Sequence, residues 1–126
     1  MAIVESRNLT KIYKMGAAEV RALQGIDLVV ERGEFLSVMG RSGSGKSTLL
    51  NLLGALDRPT SGEVYVAGER LAEVRNLDRF RSRAVGFVFQ MHNLIPTLTA
   101  QENVEVPMRG QGFSHRDRRR RSAELL

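Results

Sequence analysis

The 126 residues contain no cysteine, so neither a disulfide framework nor a thiolate metal site is available, as expected of a cytoplasmic protein. Apolar runs are only a few residues long, well short of the roughly 20 needed to span a bilayer. The opening "MAIVESRNLTKIYK" lacks the apolar core of a secretory signal, and export is not expected. Internal repeats are absent as well. What is present is an apolar fraction of 42% and a charged fraction of 26%, the balance of a globular chain large enough for one small core. Basic residues outnumber acidic ones by 19 to 14, but five arginines and one aspartate sit in "RDRRRR" at 116–121. Most of the net +5 therefore belongs to one short run, which reads as the solvated face of a helix and not as a nucleic-acid contact.

The patterning alternates between strand and helix signals. "AIVESRNL" predicts a first strand, and "VRALQGIDLVV" a second and third separated by Gly25. "ERGE" at 31–34 is a turn with Gly33 at its tip. It feeds "FLSVM" at 35–39, whose two-sided apolarity predicts a strand covered on both faces, as in a parallel sheet. Leucines at 49, 50, 52, 53 and 56 predict a helix from Lys46, stopped by "RPTSG". Another short strand, "EVYVAG", ends in a glycine turn, and "LDRFRSRA" predicts a short helix. "VGFVF" at 85–89 predicts a second buried strand, ending at Gln90 before the loop "MHNLIPTL". Thr99 with Glu102 has the capping-box spacing, and Ser114 is placed to cap a last helix.

Between the 35–39 run and the leucine helix lies "GRSGSGKST", residues 40–48, which matches G-x-x-x-x-G-K-[ST] completely and in the required strand-to-helix context. A polyphosphate is best matched by a concave row of backbone N–H groups at a helix N-terminus, where side chains would obstruct the approach. Gly40, Gly43 and Gly45 remove Cβ atoms and permit positive φ; Arg41, Ser42 and Ser44 fill the turn between them. Lys46 brings a positive charge toward the β and γ phosphates, Ser47 a hydroxyl for Mg²⁺, and Thr48 continues the first turn. A nucleoside di- or triphosphate with Mg²⁺ follows. This pattern alone does not separate ATP from GTP, or a kinase from a motor.

"GRSGSGKSTLLNLLGALDRPTSGEV" together with "VGFVFQMHNLIPTLTAQENV" closely resembles the ATP-binding subunits of ABC transporters, among them the lipoprotein-releasing, macrolide-export and cell-division group. The resemblance runs from "LTKIYK" to about Met108. It implies an α/β fold, a P-loop NTPase core with an antiparallel β subdomain and the start of a helical subdomain, divided into 1–90 and 91–126. It implies ATP and Mg²⁺ as ligands, Tyr13 stacked on adenine, and Gln90 reaching Mg²⁺ and the attacking water. It further implies membrane partner subunits met by the loop around 91–98, a homodimer of ATPase subunits, and a location at the inner face of the cell membrane. His92 then belongs to the interface loop and is not the catalytic histidine of the family. Leu94, Ile95 and Leu98 of the same loop are either tucked under it or offered to the partner. Arg41 departs from the family's usual proline.

Other family motifs do not occur. After Gln90 no apolar run ends in two acids, there is no "LSGGQ", and no switch histidine follows. The expectation is the N-terminal half of an ATP-binding domain that binds nucleotide without completing the hydrolytic site. Central parallel strands that cover residues 35–39 in the family are missing too, so open strand edges and low stability are expected. Two other readings compete: a small P-loop kinase with the arginine run as its lid, and a basic P-loop protein associated with nucleic acid.

Overall fold

The structure, a computed structural model, describes all residues 1–126 and divides them into two compact units, 1–77 and 78–126. In the first, β1 (Ala2–Met15) and β2 (Ala18–Glu31) form a long antiparallel hairpin, followed by α1 (Lys46–Leu53), β3 (Ser61–Val66) and the two-residue β4 (Glu69–Arg70). The four strands make one antiparallel sheet in the order β2-β1-β3-β4. Val64 and Val66 alternate with Glu63 and Tyr65 along β3, and only the valines are buried. They join Leu9, Leu23, Leu49, Leu52 and Leu71 in the core of this unit. Burying a leucine such as Leu52 contributes about 2 kcal/mol, so α1 is held mainly by this apolar stripe.

"VRALQGIDLVV" forms one strand, not two. The register steps from Leu9↔Ile26 to Lys11↔Leu23, so β2 carries one extra residue there. Gly25, at φ +66°, absorbs it as a bulge within continuous pairing. The helix also stops earlier than "RPTSG" suggests. The amides of Ala55 and Leu56 reach back to the carbonyls of Leu52 and Asn51, with Ala55 at φ +58°, which closes the C-terminus of α1 as a Schellman motif.

Both segments read as buried strands, 35–39 and 85–89, lie outside the sheet. Phe35 and Met39 are 94% and 88% exposed, and Val88 is fully exposed. Apolar character on both faces suits a strand with cover on both sides, but a strand exists only through a ladder partner, and here neither run has one. Gln90 consequently follows an unpaired segment, in an exposed bend.

The second unit consists of α2 (Leu77–Ala84, which begins at the boundary), α3 (Ala100–Glu105) with a 3₁₀ turn at Val106–Met108, and α4 (His115–Leu125). Local capping signals are realised here. The Thr99 hydroxyl accepts the Glu102 amide at 3.2 Å while the Glu102 carboxylate accepts the Thr99 amide at 2.7 Å. The Thr99 amide, then its hydroxyl, hold the Glu102 carboxyl below its usual range. Ser114 caps α4 by accepting the Asp117 amide at 3.1 Å. Thr99→Ala is expected to cost about 1 kcal/mol of stability in this unit, read as lost amide-exchange protection across α3. The arginine run lies on α4, largely exposed, with Arg120 paired to Asp117 and Arg121 to Glu124. No helix is long and apolar enough to cross a membrane.

Candidate nucleotide site

A cleft of about 580 Å³ opens in the first unit between the β1–β2 hairpin and the start of α1. One wall is Tyr13 with Val20, Arg21 and Ala22; the other is Ser42, Gly43 and residues 45–48. The hairpin register explains the first wall, since Tyr13 pairs directly with Val20 and Ile12 with Arg21. A second extra residue on β2, between Leu23 and Arg21, pushes the Ala22 backbone toward the loop. There it meets Gly45, where a Cβ would lie 2.5 Å from the Ala22 carbonyl oxygen. Only glycine permits this approach, and Gly45 also needs its left-handed φ of +94° to start the helix.

The first turn of α1 carries no acidic residue, and its N-cap, Gly45, offers no side chain to the orphan amides. First-turn amides, which a capping side chain often satisfies, have no such partner here. Gly43 is likewise left-handed, at φ +78°, with open space where its Cβ would be. Gly40 does not have the positive φ that the loop pattern suggests; a Cβ there would stand 2.7 Å from the Ser44 hydroxyl, which would have to turn aside. The Lys46 ammonium donates to the Gly40 carbonyl at 2.8 Å, the Arg41 carbonyl at 2.7 Å and the Ser44 hydroxyl at 3.3 Å. It is thus held at the loop mouth by exposed oxygens that water can solvate in its place. Arg41 is exposed and closes the loop with its carbonyl, which also accepts the Ser44 amide.

These residues suit a polyanion: uncapped amides, an ammonium, the Arg21 guanidinium and no acidic residue in the first turn. For a divalent cation the loop offers the exposed Ser47 hydroxyl, and no group of three or more acidic or histidine side chains forms a cage. That donor set fits Mg²⁺, which keeps waters and takes phosphate oxygens. Tyr13 and the loop are therefore brought together in one cleft, whereas Gln90 belongs to the second unit. His92 lies exposed in the loop after it.

Two features escaped sequence reading. Lys11 and Asp57 form an ion pair at 2.9 Å beside Tyr13, across 46 residues that carry no spacing signal. Asn103 secures the 95–99 loop by donating to the carbonyls of Ile95, Leu98 and Thr99 and accepting the Ile95 amide, while Leu94 and Ile95 stay exposed.

Known proteins share this arrangement. The family described as ABC transporter matches residues 23–126. An uncharacterized ABC transporter ATP-binding protein of Thermotoga maritima is 48% identical over 126 residues, covering 98% of this chain and 54% of the relative. The lipoprotein-releasing system ATP-binding protein LolD of Alcanivorax borkumensis is 45% identical, with 98% and 55% covered. Among solved structures, the dimeric MJ0796 ATP-binding cassette in a post-hydrolysis state bound to ADP and Pi superposes with a TM-score of 0.85 at 48% identity, over 96% of this chain and 54% of that one. The chain spans about half the length of these relatives. A P-loop cleft built on an antiparallel hairpin, and relatedness over nearly every residue, place it plainly: the chain belongs to the ABC transporter ATP-binding family.

Proposed function

We propose that the Tyr13 cleft binds ATP with Mg²⁺, and that the chain is the nucleotide-binding part of an ATPase that energises export or lipoprotein release through membrane subunits. The observation that carries this reading is the uncapped first turn of α1 opening into a cleft that also holds the Lys46 ammonium and the Tyr13 ring. In this reading the amides of Gly43, Gly45, Lys46, Ser47 and Thr48 take the phosphate oxygens, and the helix dipole favours their charge. Lys46 exchanges loop carbonyls for phosphate oxygens. Ser42 and Ser44 shape the rim, and Arg41 adds positive potential. Ser47 would hold Mg²⁺, which when bound would neutralise charge on the terminal phosphates; a part for Gln90 in holding the metal rests on the family resemblance alone. Gln90 also orients water, and Tyr13 stacks on adenine.

The partner readings follow the relatives. The structurally similar MJ0796 cassettes are dimeric, which supports a homodimer. A lipoprotein-releasing system ATP-binding protein, LolD, and a macrolide export ATP-binding/permease protein, MacB, of Hyphomonas neptunium are among the relatives, which supports membrane partners; their docking on the 91–98 loop and a location at the inner face of the membrane are part of the proposal. Nothing in the site favours the kinase reading.

Calorimetry tests the proposal. The chain is expected to bind Mg-ATP with a dissociation constant in the micromolar range, about −8 kcal/mol, and to show only background turnover, since no apolar run ending in two acids follows Gln90 and no "LSGGQ" occurs. A folded sample giving no heat sinks the binding assignment. Substantial turnover by the chain alone sinks the statement that its hydrolytic parts are incomplete.

A further inference from the structure

The residues that fix Tyr13 form a network separate from the phosphate loop. Lys11 and Tyr13, two apart on β1, face the same side of the sheet. The Lys11 ammonium lies 5.1 Å from the centre of the Tyr13 ring, donates to the Asp57 carboxylate at 2.9 Å and donates to the Arg58 carbonyl at 2.8 Å. From the same carboxylate oxygen the Tyr13 hydroxyl is 3.5 Å away, while the other oxygen of Asp57 accepts the Arg58 amide at 2.7 Å. Thr60 pins this loop back onto β1, its hydroxyl accepting the Ile12 amide and its amide bonding the Thr10 carbonyl, each at 2.9 Å.

The Lys11 side chain is only 13% exposed, which sets this pair apart from the solvated pairs of α4. The Lys11 hydrogen bond, with help from the Arg58 amide, holds the Asp57 carboxyl below its usual range, which favours the carboxylate. A tyrosine ring has two torsions to fix. Here the ammonium lies over the ring and the carboxylate approaches the hydroxyl, while the ring itself borders the cleft and is 37% exposed.

We propose that Lys11 and Asp57 are positioning residues for base recognition: their ion pair sets the plane of Tyr13 so that a purine base stacks on the ring face opposite the ammonium. This rests on the reading of the cleft as an ATP site. Neither residue touches the nucleotide. Their effect is to hold the ring ready, which removes the cost of ordering it at the moment of binding. The phosphates, held by the loop, do not depend on them.

Comparing Mg-ATP with Mg-tripolyphosphate separates base from phosphate binding. Calorimetry on the parent chain, Tyr13→Ala, Lys11→Met, Asp57→Asn and Lys11→Arg is the experiment. The parent is expected to prefer ATP, with Tyr13→Ala defining the whole base-dependent margin. Lys11→Met and Asp57→Asn are expected to lose ATP affinity by about three- to tenfold while binding tripolyphosphate as the parent does. Lys11→Arg, which can still pair with the carboxylate, retains most of the margin. Variants that keep the full preference for ATP overturn the proposal, and so does an equal loss of both ligands, the result expected of a purely structural strap.

A parent that binds tripolyphosphate and ATP equally overturns base recognition while leaving the phosphate site intact. A parent that binds neither removes the ATP reading itself. A ligand-free measurement guards against misfolding. The sequence has two tyrosines, so in a Tyr65→Phe background Tyr13 is the sole fluorophore of its kind. Its emission should change in Lys11→Met, and an unchanged signal counts against the proposal.

Discussion

Replacing Lys46 with alanine is expected to lower the affinity for Mg-ATP about 100-fold, the largest single-residue effect on binding in the cleft, because a charge-assisted bond to phosphate contributes about 1.5–3 kcal/mol. The size follows from what the ammonium does in each state. Without ligand it bonds the carbonyls of Gly40 and Arg41 and the Ser44 hydroxyl, all at the exposed mouth of the loop. Those oxygens are rehydrated when the side chain is removed, so the folded chain loses little, and the midpoint of thermal unfolding should move by no more than a few degrees. In the complex no water replaces a full charge beside a triphosphate, so the loss falls on binding. Lys46→Arg is not a rescue: the planar guanidinium is too broad to sit among the three loop oxygens that hold the compact ammonium. Titration of Mg-ATP into both variants and the parent gives the comparison. Parent-like affinity in Lys46→Ala would remove the loop from the binding site.

Legibility in the sequence followed the range of the interactions involved. The loop 40–48, the Thr99 capping box and the Ser114 cap each depend on residues within a few positions of one another, and each lies where the pattern places it. The Ala67–Gly68 turn after β3 is equally local, with both residues at positive φ in the manner of a tight hairpin. Residues 35–39 and 85–89 show the opposite case. Their composition records the neighbours they are suited to, but pairing is a property of two strands, and the sheet of this chain contains neither segment. The bulges that shape the cleft are hidden for a related reason. Gly25 interrupts the alternation of β2 and so reads as a break, although β1 continues past it with a one-residue offset. The Lys11–Asp57 contact joins a strand to the loop after α1, and nothing in either local sequence announces the other.

The second large effect belongs to Gly45, and its neighbour Gly43 supplies the control. Gly45→Ala places a Cβ 2.5 Å from the Ala22 carbonyl oxygen and 3.0 Å from the Leu23 side chain, at a φ of +94° that L-residues rarely adopt. The nearer obstacle is backbone and cannot turn aside: the carbonyl belongs to the bulged segment of β2, so hairpin and helix start must separate. The expected cost is at least about 3 kcal/mol of stability, combining left-handed strain with overpacking. Binding should fall in parallel, since the displaced residue is the N-cap that aims the first-turn amides. Gly43→Ala shares the left-handed φ but meets no atom within 4 Å, so its stability cost should be only about 1 kcal/mol. Its methyl group would instead narrow the approach to the loop amides and weaken Mg-ATP disproportionately. Denaturant unfolding and calorimetry on both variants separate the two effects. If Gly45→Ala unfolds at the same denaturant concentration as Gly43→Ala, the close contact between loop and hairpin is not what holds this cleft open.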